Sequence, residues 1–216
     1  MQPIYLKITK PDKPLDSGAS RFWGDPDLPK DFNFPSYIDE NDGEEYNYNF
    51  ICQINLEELA NTGIPTSLPK KGLLSFFAKI DHYLGFFDAS IDISGFISDP
   101  DAVRVLYFPS CDDLVRNVLV DDEEDPVSPA ERQIEFRAER EPLTVEHALF
   151  AEPTHREWVT WDPPFEDWQI LLQIDSDEDD DFNLNFCDCG VMCFLISPDD
   201  LKHNRFDDVR AIVLSS

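Results

Sequence analysis

Short stretches in which apolar and polar residues alternate recur along the chain, and this period of two predicts β-strands. The clearest stretch covers residues 168–175 and carries a Gln-Ile pair near its end. Alternation predicts one face made of Trp168, Ile170, Leu172 and Ile174, and an opposite face made of Gln169, Leu171, Gln173 and Asp175. We take this strand as the start of a unit that continues to the C-terminal Ser216.

An earlier part of the chain repeats this unit in diverged form. Residues 50–55 again place a Gln-Ile pair before a polar residue, and alternation predicts Phe50, Cys52 and Ile54 on one face. In each copy a glycine then opens a second apolar strand, at residues 72–80 and 190–196.

A third matched element completes the two copies, at residues 101–110 and 207–216, and it places Arg104 and Arg210 in equivalent positions. The three elements occur in the same order in both copies. Two units are too few for a solenoid. The pattern therefore predicts an internal duplication, with halves at roughly 50–110 and 168–216 packed into one core of a single domain covering residues 1–216.

Helices are predicted to be few and short. Asn55 can cap a helix running to about Ala60, with Glu58 at the capping-box position, and Ser197 followed by Pro198 starts a helix expected to reach about Asn204. Further predictions are strands at 4–8, 82–87, 115–120 and 133–139, the last with Ile134, Phe136 and Ala138 inward, and a helix from Thr144 within 142–150.

Charge narrows the possible partners. The 216 residues include 45 acidic and 17 basic side chains, which gives a formal net charge of −28. Nucleic acid would be repelled by such a chain, since no basic cluster interrupts the acidic surface. The charge can serve solubility, adaptation to high salt, or attraction to a basic partner protein.

The location of the protein follows from what the chain lacks. The N-terminus has no apolar signal-peptide core, and no apolar run approaches the ~20 residues that span a bilayer. Five cysteines form no disulfide framework, so reduced thiols are expected. We expect a cytoplasmic protein that binds no membrane.

Local motifs for catalysis or metal binding are missing. The acidic run 175–181 lacks the glycine and the final glutamate of a calcium-binding EF-hand, which favours a solvated loop over weak divalent binding. Cys187, Cys189 and Cys193 have no second ligand pair and are expected to be small core residues, not zinc ligands. No metal or other cofactor is expected, and the sequence leans away from an enzyme without excluding one assembled from distant residues.

Two glutamines are the polar residues of greatest interest. Gln53 and Gln173 each end an apolar strand, and each can satisfy backbone groups of a neighbouring loop. The functional alternative is a binding cleft between the two halves, lined by Gln53, Gln173 and Asp175, with Arg104 or Arg210 nearby.

These elements together resemble the YwqG-like family, a mostly bacterial group classed as a domain of unknown function. The resemblance rests on Ser20-Arg-Phe22, Pro26, Leu28-Pro29, Pro35, residues 53–56, 72–76 and 168–176, Asp188-Cys-Gly190 and Arg205-Phe-Asp207. Trp23 departs from it where the family tends to have the first of two glycines, and Phe34 stands where a tryptophan is usual. The resemblance implies a mainly β (α+β), internally duplicated antiparallel β roll with a few short helices, and it supplies no catalytic residues.

Two functional hypotheses follow. The first is a non-enzymatic interaction protein whose acidic surface binds a basic partner, in the manner of an immunity protein or antitoxin. The second is a small-molecule or metal-binding protein, or an enzyme, that uses the cleft between the halves. The oligomeric state is left open.

Overall fold

A computed structural model describes residues 2–39, 42–80, 93, 95–121, 123–142, 145–153, 161–179, 182–186 and 189–214. The helices within these ranges are α1 (Leu56–Asn61) and α2 (Pro198–Lys202). The strands are β1 (Ile4–Thr9), β2 (Arg21–Phe22), β3 (Asp27–Pro29), β4 (Ser36–Ile38), β5 (Glu45–Asn47), β6 (Asn49–Asn55), β7 (Leu73–Ala78), β8 (Val103–Phe108), β9 (Leu114–Arg116), β10 (Arg132–Arg137), β11 (Ala148–Leu149), β12 (Gln169–Asp175), β13 (Asp177–Asp179), β14 (Phe182–Leu184), β15 (Val191–Ile196) and β16 (Arg210–Leu214). The predicted strand at 82–87 lies outside the described residues.

The predicted fold class is confirmed, because the protein is mainly β and its strands pair antiparallel. Ten strands form one sheet in the order β16-β15-β12-β11-β1-β10-β2-β6-β7-β8, and three two-stranded sheets pair β3 with β9, β4 with β5, and β13 with β14. Reading inward from either end of this order meets the same succession of matched strands. From the central β1–β10 pair, each side continues with a two-residue strand, then the Gln-Ile strand, then two more strands of one copy.

Register places the two copies in equivalent positions. Arg104 lies opposite Phe77 in the β7–β8 pair, and Arg210 lies opposite Leu195 in the β15–β16 pair. β6 and β12 have the same burial pattern, and so do β7 and β15. The extent of one domain over residues 1–216 and the limits of the halves stay predictions.

The large sheet curls back on itself. The rings of Phe76 on β7 and Phe194 on β15 lie 5.2 Å apart, although six strands separate β7 from β15 in the sheet. One main core therefore joins both halves, and it contains buried residues from each of them. A smaller apolar cluster lies on the opposite face in each half, around Phe77 in the first and Leu195 in the second.

The predicted faces of the two Gln-Ile strands were wrong at one point in each strand. A register shift between Phe50 and Cys52 places Phe50 in the outer cluster while Cys52 and Ile54 face the main core. The same shift between Ile170 and Leu172 separates Ile170 from Leu172 and Ile174. A β-bulge adds one residue to one strand and so reverses the faces beyond it. Both copies carry the bulge at the same place.

The capped helices form as predicted, with differences at their ends. The side chain of Asn55 accepts hydrogen bonds from the amides of Glu57 and Glu58, as expected of a cap. Glu58 accepts from the amide of Ser20 at 3.0 Å, and the amide of Asn55 donates to the hydroxyl of Ser20 instead, so the capping box is not closed. The second helix ends at Lys202, two residues earlier than predicted.

Three other local predictions were wrong. Residues 145–150 contain the strand β11 and no helix among those described, because this segment pairs with β1 and β12. The strand at 133–139 ends at Arg137, which leaves Ala138 exposed. The strand at 115–120 is shortened to β9 and an isolated bridge at Val120.

Candidate functional site

Gln53 is fully buried on the face of β6 opposite the main core, and all of its polar atoms are hydrogen-bonded. Its amide nitrogen donates to the carbonyl of Ala19 at 2.8 Å and to the carboxylate of Asp27 at 2.6 Å. Its amide oxygen accepts from the backbone N–H of Asp27 at 2.9 Å. Gln53 thus holds the proline-rich loop before β3 against the sheet.

Asp27 is the centre of a buried ionic network. Its carboxylate accepts from Arg21, from the amide of Gly18 at 2.8 Å and from Arg116 at 3.3 Å. Glu131 completes the network by accepting from Arg21 at 3.2 Å and from Arg116 at 3.0 Å. The two cations thus face two carboxylates, and β2, β3, β9 and the segment before β10 are bound together.

The guanidinium groups and carboxylates of this network pair with one another, and buried charges are stable only when they are paired in this way. Arg21 and Asp27 are 0% exposed, and burial lowers the pKa of the Arg21 guanidinium even though Asp27 opposes this effect. Removing one member of such a pair leaves an uncompensated buried charge, which typically costs about 3–5 kcal/mol. The geometry is that of a structural brace.

Gln173 occupies the matching place in the second half. It is 1% exposed, its amide nitrogen donates to the carbonyl of Glu146 at 3.0 Å, and the thiol of Cys193 lies 3.8 Å from its oxygen. Asp175 belongs to the same cluster, since its carboxylate accepts from the amide of Glu146 at 2.8 Å. No counterpart of Arg21 stands here, because Ala148 occupies the equivalent position opposite Gln173.

One contact of each glutamine, to the loop before β2 or β11, has a counterpart in the other half. Gln53 donates to the carbonyl of Ala19, while the next residue, Ser20, accepts from the amide of Asn55 through its hydroxyl. In the second half Gln173 donates to Glu146, and the following His147 accepts from the amide of Asp175 at 3.2 Å through Nδ1. The same loop geometry is therefore built twice, with different side chains.

Trp23 and Phe150 directly follow β2 and β11, and they have equivalent backbone conformations. Trp23 has φ of 53° and Phe150 has φ of 56°, and their amides donate to the carbonyls of Ile51 and Leu171. This left-handed region is the one that glycine adopts most easily. Trp23 therefore has a backbone suited to the glycine that it replaces in the family resemblance, and its ring is buried in the main core.

His147 lies between the Gln173 cluster and a small cavity. Because Nδ1 accepts from the amide of Asp175, the proton of the neutral ring is on Nε2, which lies 3.4 Å from the carboxylate of Asp177. The cavity has a volume of about 150 Å³, and His147, Asp177, Tyr5 and Lys7 contribute to its lining. It adjoins β1, in the central strand pair of the large sheet.

The five residues predicted to line a cleft are distributed over several contacts. Gln173 and Asp175 come together through Glu146, whereas Gln53 belongs to the Asp27 network. Arg104 lies over the ring of Tyr48 at 5.2 Å and donates to the carbonyl of Pro100, and Arg210 pairs with Asp208 at 2.7 Å. A binding role for these residues stays a prediction.

Two cysteines are buried among apolar side chains. Burial raises the pKa of the Cys52 and Cys193 thiols above the ordinary value, so both are held as neutral thiols. The prediction of a core position is wrong for Cys189, which is exposed, and Cys187 lies outside the described residues. Among the residues that the structure describes, no group of three or more His, Cys, Asp or Glu is arranged to hold a metal ion.

Several cations are paired with acidic side chains in the described part of the chain. Besides Arg21 and Arg116, six cations form ion pairs with acidic side chains, namely Lys7, Lys79, Arg137, Arg140, Arg205 and Arg210. At least eight of the 17 basic residues are thus paired, in a chain that has 45 acidic ones. Because each ion pair uses a negative charge as well as a positive one, this pairing leaves the formal net charge of the chain at −28.

Sequence reasoning missed Arg21, Asp27, Arg116 and Glu131. These residues come from four separate segments, and no periodicity or spacing links them. Arg21 and Asp27 lie in a proline-rich loop that also carries Asp25, so the sequence did not single them out. Burial of both could not be inferred without knowing that this loop covers β6.

Fold and contacts together define a duplicated, mainly β protein in which matched glutamines brace a loop in each half. The chain belongs to the family described as domain of unknown function (DUF1963), whose model matches residues 20–164 and 147–213. None of the curated proteins compared with the chain matches it. In the described part of the chain, neither helix is long and apolar enough to cross a membrane.

Proposed function

We propose that this protein is a non-enzymatic interaction protein whose acidic surface binds a basic partner, in the manner of an immunity protein or antitoxin. One observation carries the proposal: the chain has a formal net charge of −28, and at least eight of its 17 basic residues are already engaged in internal ion pairs. Unpaired carboxylates attract a basic protein and steer its approach. Assignment to the YwqG-like group within the family is part of the same proposal.

The use of the buried polar residues supports a binding role over catalysis. Gln53 and Gln173 are hydrogen-bonded to the loops that they hold in place. Arg21 and Asp27 form a buried ion pair with each other. The thiols of Cys52 and Cys193 are buried and their pKa values are raised, which disfavours a nucleophilic thiolate. We propose a cytoplasmic location. The net negative charge of the chain would repel a nucleic acid or an anionic membrane.

The test is affinity capture from a lysate of the native source on the immobilised protein, with mass spectrometry of the retained proteins. An unrelated folded protein of similar net charge serves as the control bait. We expect a basic protein that is retained by this chain and not by the control. Retention of only acidic or neutral proteins, or of the same proteins on both baits, contradicts the proposal.

A second candidate function is small-molecule binding, favoured by the 150 Å³ cavity beside the Gln173 cluster. The cavity brings His147, which is 2% exposed, together with Lys7 and the exposed Arg137. Thermal-shift screening of metabolites and metal ions tests this candidate. A compound that raises the melting temperature of the wild type but not of Arg137→Gln supports small-molecule binding. Failure to find any stabilising compound counts against it.

A further inference from the structure

Among the described residues, the two edges of the ten-stranded sheet differ in how they are covered. At the β16 edge, the chain near residues 93–98 forms three backbone hydrogen bonds: Val213 to Ile93 at 2.8 Å, Gly95 to Val213 at 3.0 Å and Ser98 to Ala211 at 2.8 Å. These bonds satisfy the outer groups of β16 as an added strand would. The opposite edge is β8, the last strand in the sheet order.

The outer edge of β8 has free backbone groups within the described chain. The carbonyl of Ala102 accepts from the amide of Lys79 on the β7 side at 3.1 Å. Hydrogen-bonded and non-hydrogen-bonded residues alternate in an antiparallel pair, so Val103, Val105 and Tyr107 direct their backbone groups away from β7. The carbonyl of Val103 accepts from the side chain of Arg104, and among the described residues the outward groups of Val105 and Tyr107 have no backbone partner.

A cleft of about 260 Å³ runs along this edge. It lies between β8 and the connection from α2 to β16, and its lining includes Phe32, Tyr107, Phe206 and Asp207. The rings of Tyr107 and Phe206 are 5.8 Å apart, and Phe32 lies edge-on to Phe108 at 5.5 Å. Aromatic side chains from both halves therefore flank the open strand.

The charge of the cleft identifies the kind of partner. Asp207 is exposed, and it forms no ion pair among the residues that the structure describes. Arg104, the cation of β8 itself, is held by the ring of Tyr48 and the carbonyl of Pro100. An incoming segment thus meets a negative carboxylate, apolar rings and an unpaired row of backbone groups.

We propose that β8 binds an extended, basic segment of a partner protein by strand addition, with apolar side chains in the cleft and a cation at Asp207. Strand addition draws its affinity from main-chain hydrogen bonds and its selectivity from the side-chain pockets beside the edge. The inference rests on the proposed function, because it assigns the place where a basic partner would bind.

The test uses a capped peptide of alternating valine and lysine, about eight residues long, which is enough to lie along a six-residue strand. A matched peptide carries an N-methyl group on every backbone amide, so that it keeps its charge but can donate no backbone hydrogen bond to an edge. We expect the N-methylated peptide to bind at least about tenfold more weakly, since two or more hydrogen bonds are lost. Hydrogen exchange should slow in Val103–Phe108 when the unmodified peptide binds.

A protein variant tests the charge contribution. Asp207→Asn should weaken binding of the lysine peptide severalfold, whereas Glu123→Gln, an exposed acid that is not part of the cleft lining, should not. A peptide with glutamate in place of lysine should not bind.

Equal binding of the two lysine peptides overturns strand addition but leaves the proposed function intact, because charge alone then explains the association. Failure of every peptide to bind also overturns the inference, as does a concentration-dependent dimer that protects β8. The proposed function is judged separately, by capture of a basic protein from the lysate.

Discussion

At the scale of single residues, Gln53 and Gln173 do the same work to different extents. Gln53 makes three hydrogen bonds, one of them to a carboxylate, whereas Gln173 makes one to a carbonyl and a weaker contact with a thiol. A buried polar group that loses its partner costs about 1–3 kcal/mol, and more when it is charged.

We therefore predict that Gln53→Ala lowers the free energy of unfolding by about 2–4 kcal/mol and Gln173→Ala by about 1–2 kcal/mol. Denaturant unfolding measures both changes, and Gln133→Ala is the control because Gln133 is exposed on β10. A larger loss of stability for Gln173→Ala than for Gln53→Ala would contradict this ranking. Variants that keep their stability but lose the rise in melting temperature caused by a ligand would mean that the glutamines serve binding instead of bracing.

Tyr48 gives the protein a pH dependence at the alkaline end. It is 1% exposed, and its hydroxyl donates to the carbonyl of Asp101 at 2.5 Å. Burial raises the pKa of Tyr48 from 10.0 to about 12, with the Asp101 carboxylate adding to the effect and Arg104 opposing it. Because the folded pKa is the higher one, the stabilisation is full below pH 10.0 and is lost as the pH rises towards about 12.

Tyr48→Phe should remove this pH-dependent loss. We expect the variant to be less stable than the wild type by about 1 kcal/mol at neutral pH, through loss of one hydrogen bond. The gap should narrow when unfolding is measured above pH 10.0, with Tyr5→Phe as the control. Parallel loss of stability in the wild type and in Tyr48→Phe would show that other groups are responsible.

The residue scale is also where prediction from sequence was least complete. The alternation of apolar and polar residues predicted that Gln53 and Gln173 would turn away from the core, and they do. It could not predict Asp27, Arg21, Arg116 and Glu131, because their pairing depends on four segments meeting in space. Nor could alternation predict the bulges, since an extra residue leaves no mark in the polarity pattern.

At the scale of elements, the β6–β7–β8 and β12–β15–β16 units form the same antiparallel arrangement. A glycine precedes the second strand of each unit, and its carbonyl accepts a hydrogen bond from the amide of the residue that follows the first strand. Leu56 donates to Gly72 at 2.9 Å, and Ser176 donates to Gly190 at 3.1 Å. The two-residue strands β2 and β11 were missed because pairing on both sides, not local propensity, makes them strands.

Gly72 is required for the close approach of β7 and β8. It has φ of 97°, and a Cβ there would lie 2.2 Å from the carbonyl oxygen of Phe108. We predict that Gly72→Ala lowers the free energy of unfolding by more than about 2 kcal/mol. Gly63→Ala, at φ of 75° with nothing within 4 Å, is the control for backbone strain alone and should cost about 1 kcal/mol. An equal loss of stability in the two variants would show that β8 can move away from the added Cβ without an energetic cost.

At the scale of the whole molecule, duplication creates a sheet with two equivalent edges, which the described residues cover to different extents. Hydrogen bonds from the 93–98 region close the β16 edge, while β8 retains outward groups without a backbone partner in the described chain. The order of the matched elements predicted the duplicated β architecture. The closure of one edge was not predictable, because it depends on a connection with no matching pattern in the other half.

Charge acts at this scale too, because the formal net charge of −28 belongs to the chain as a whole. Attraction between exposed charges weakens with salt, since the screening length falls from about 10 Å at 0.1 M to about 3 Å at 1 M. An association that depends on the acidic surface must therefore weaken as salt is raised, whereas an apolar association persists.

The most direct test of the account is the amount of captured partner that the immobilised protein retains across a salt series. We predict that a basic protein is held at about 50 mM salt and released in a graded manner before about 0.5 M, where the screening length is only a few ångströms. Retention that is unchanged across the series, or capture of no basic protein at any salt concentration, would contradict the central claim that the acidic surface exists to bind a basic partner.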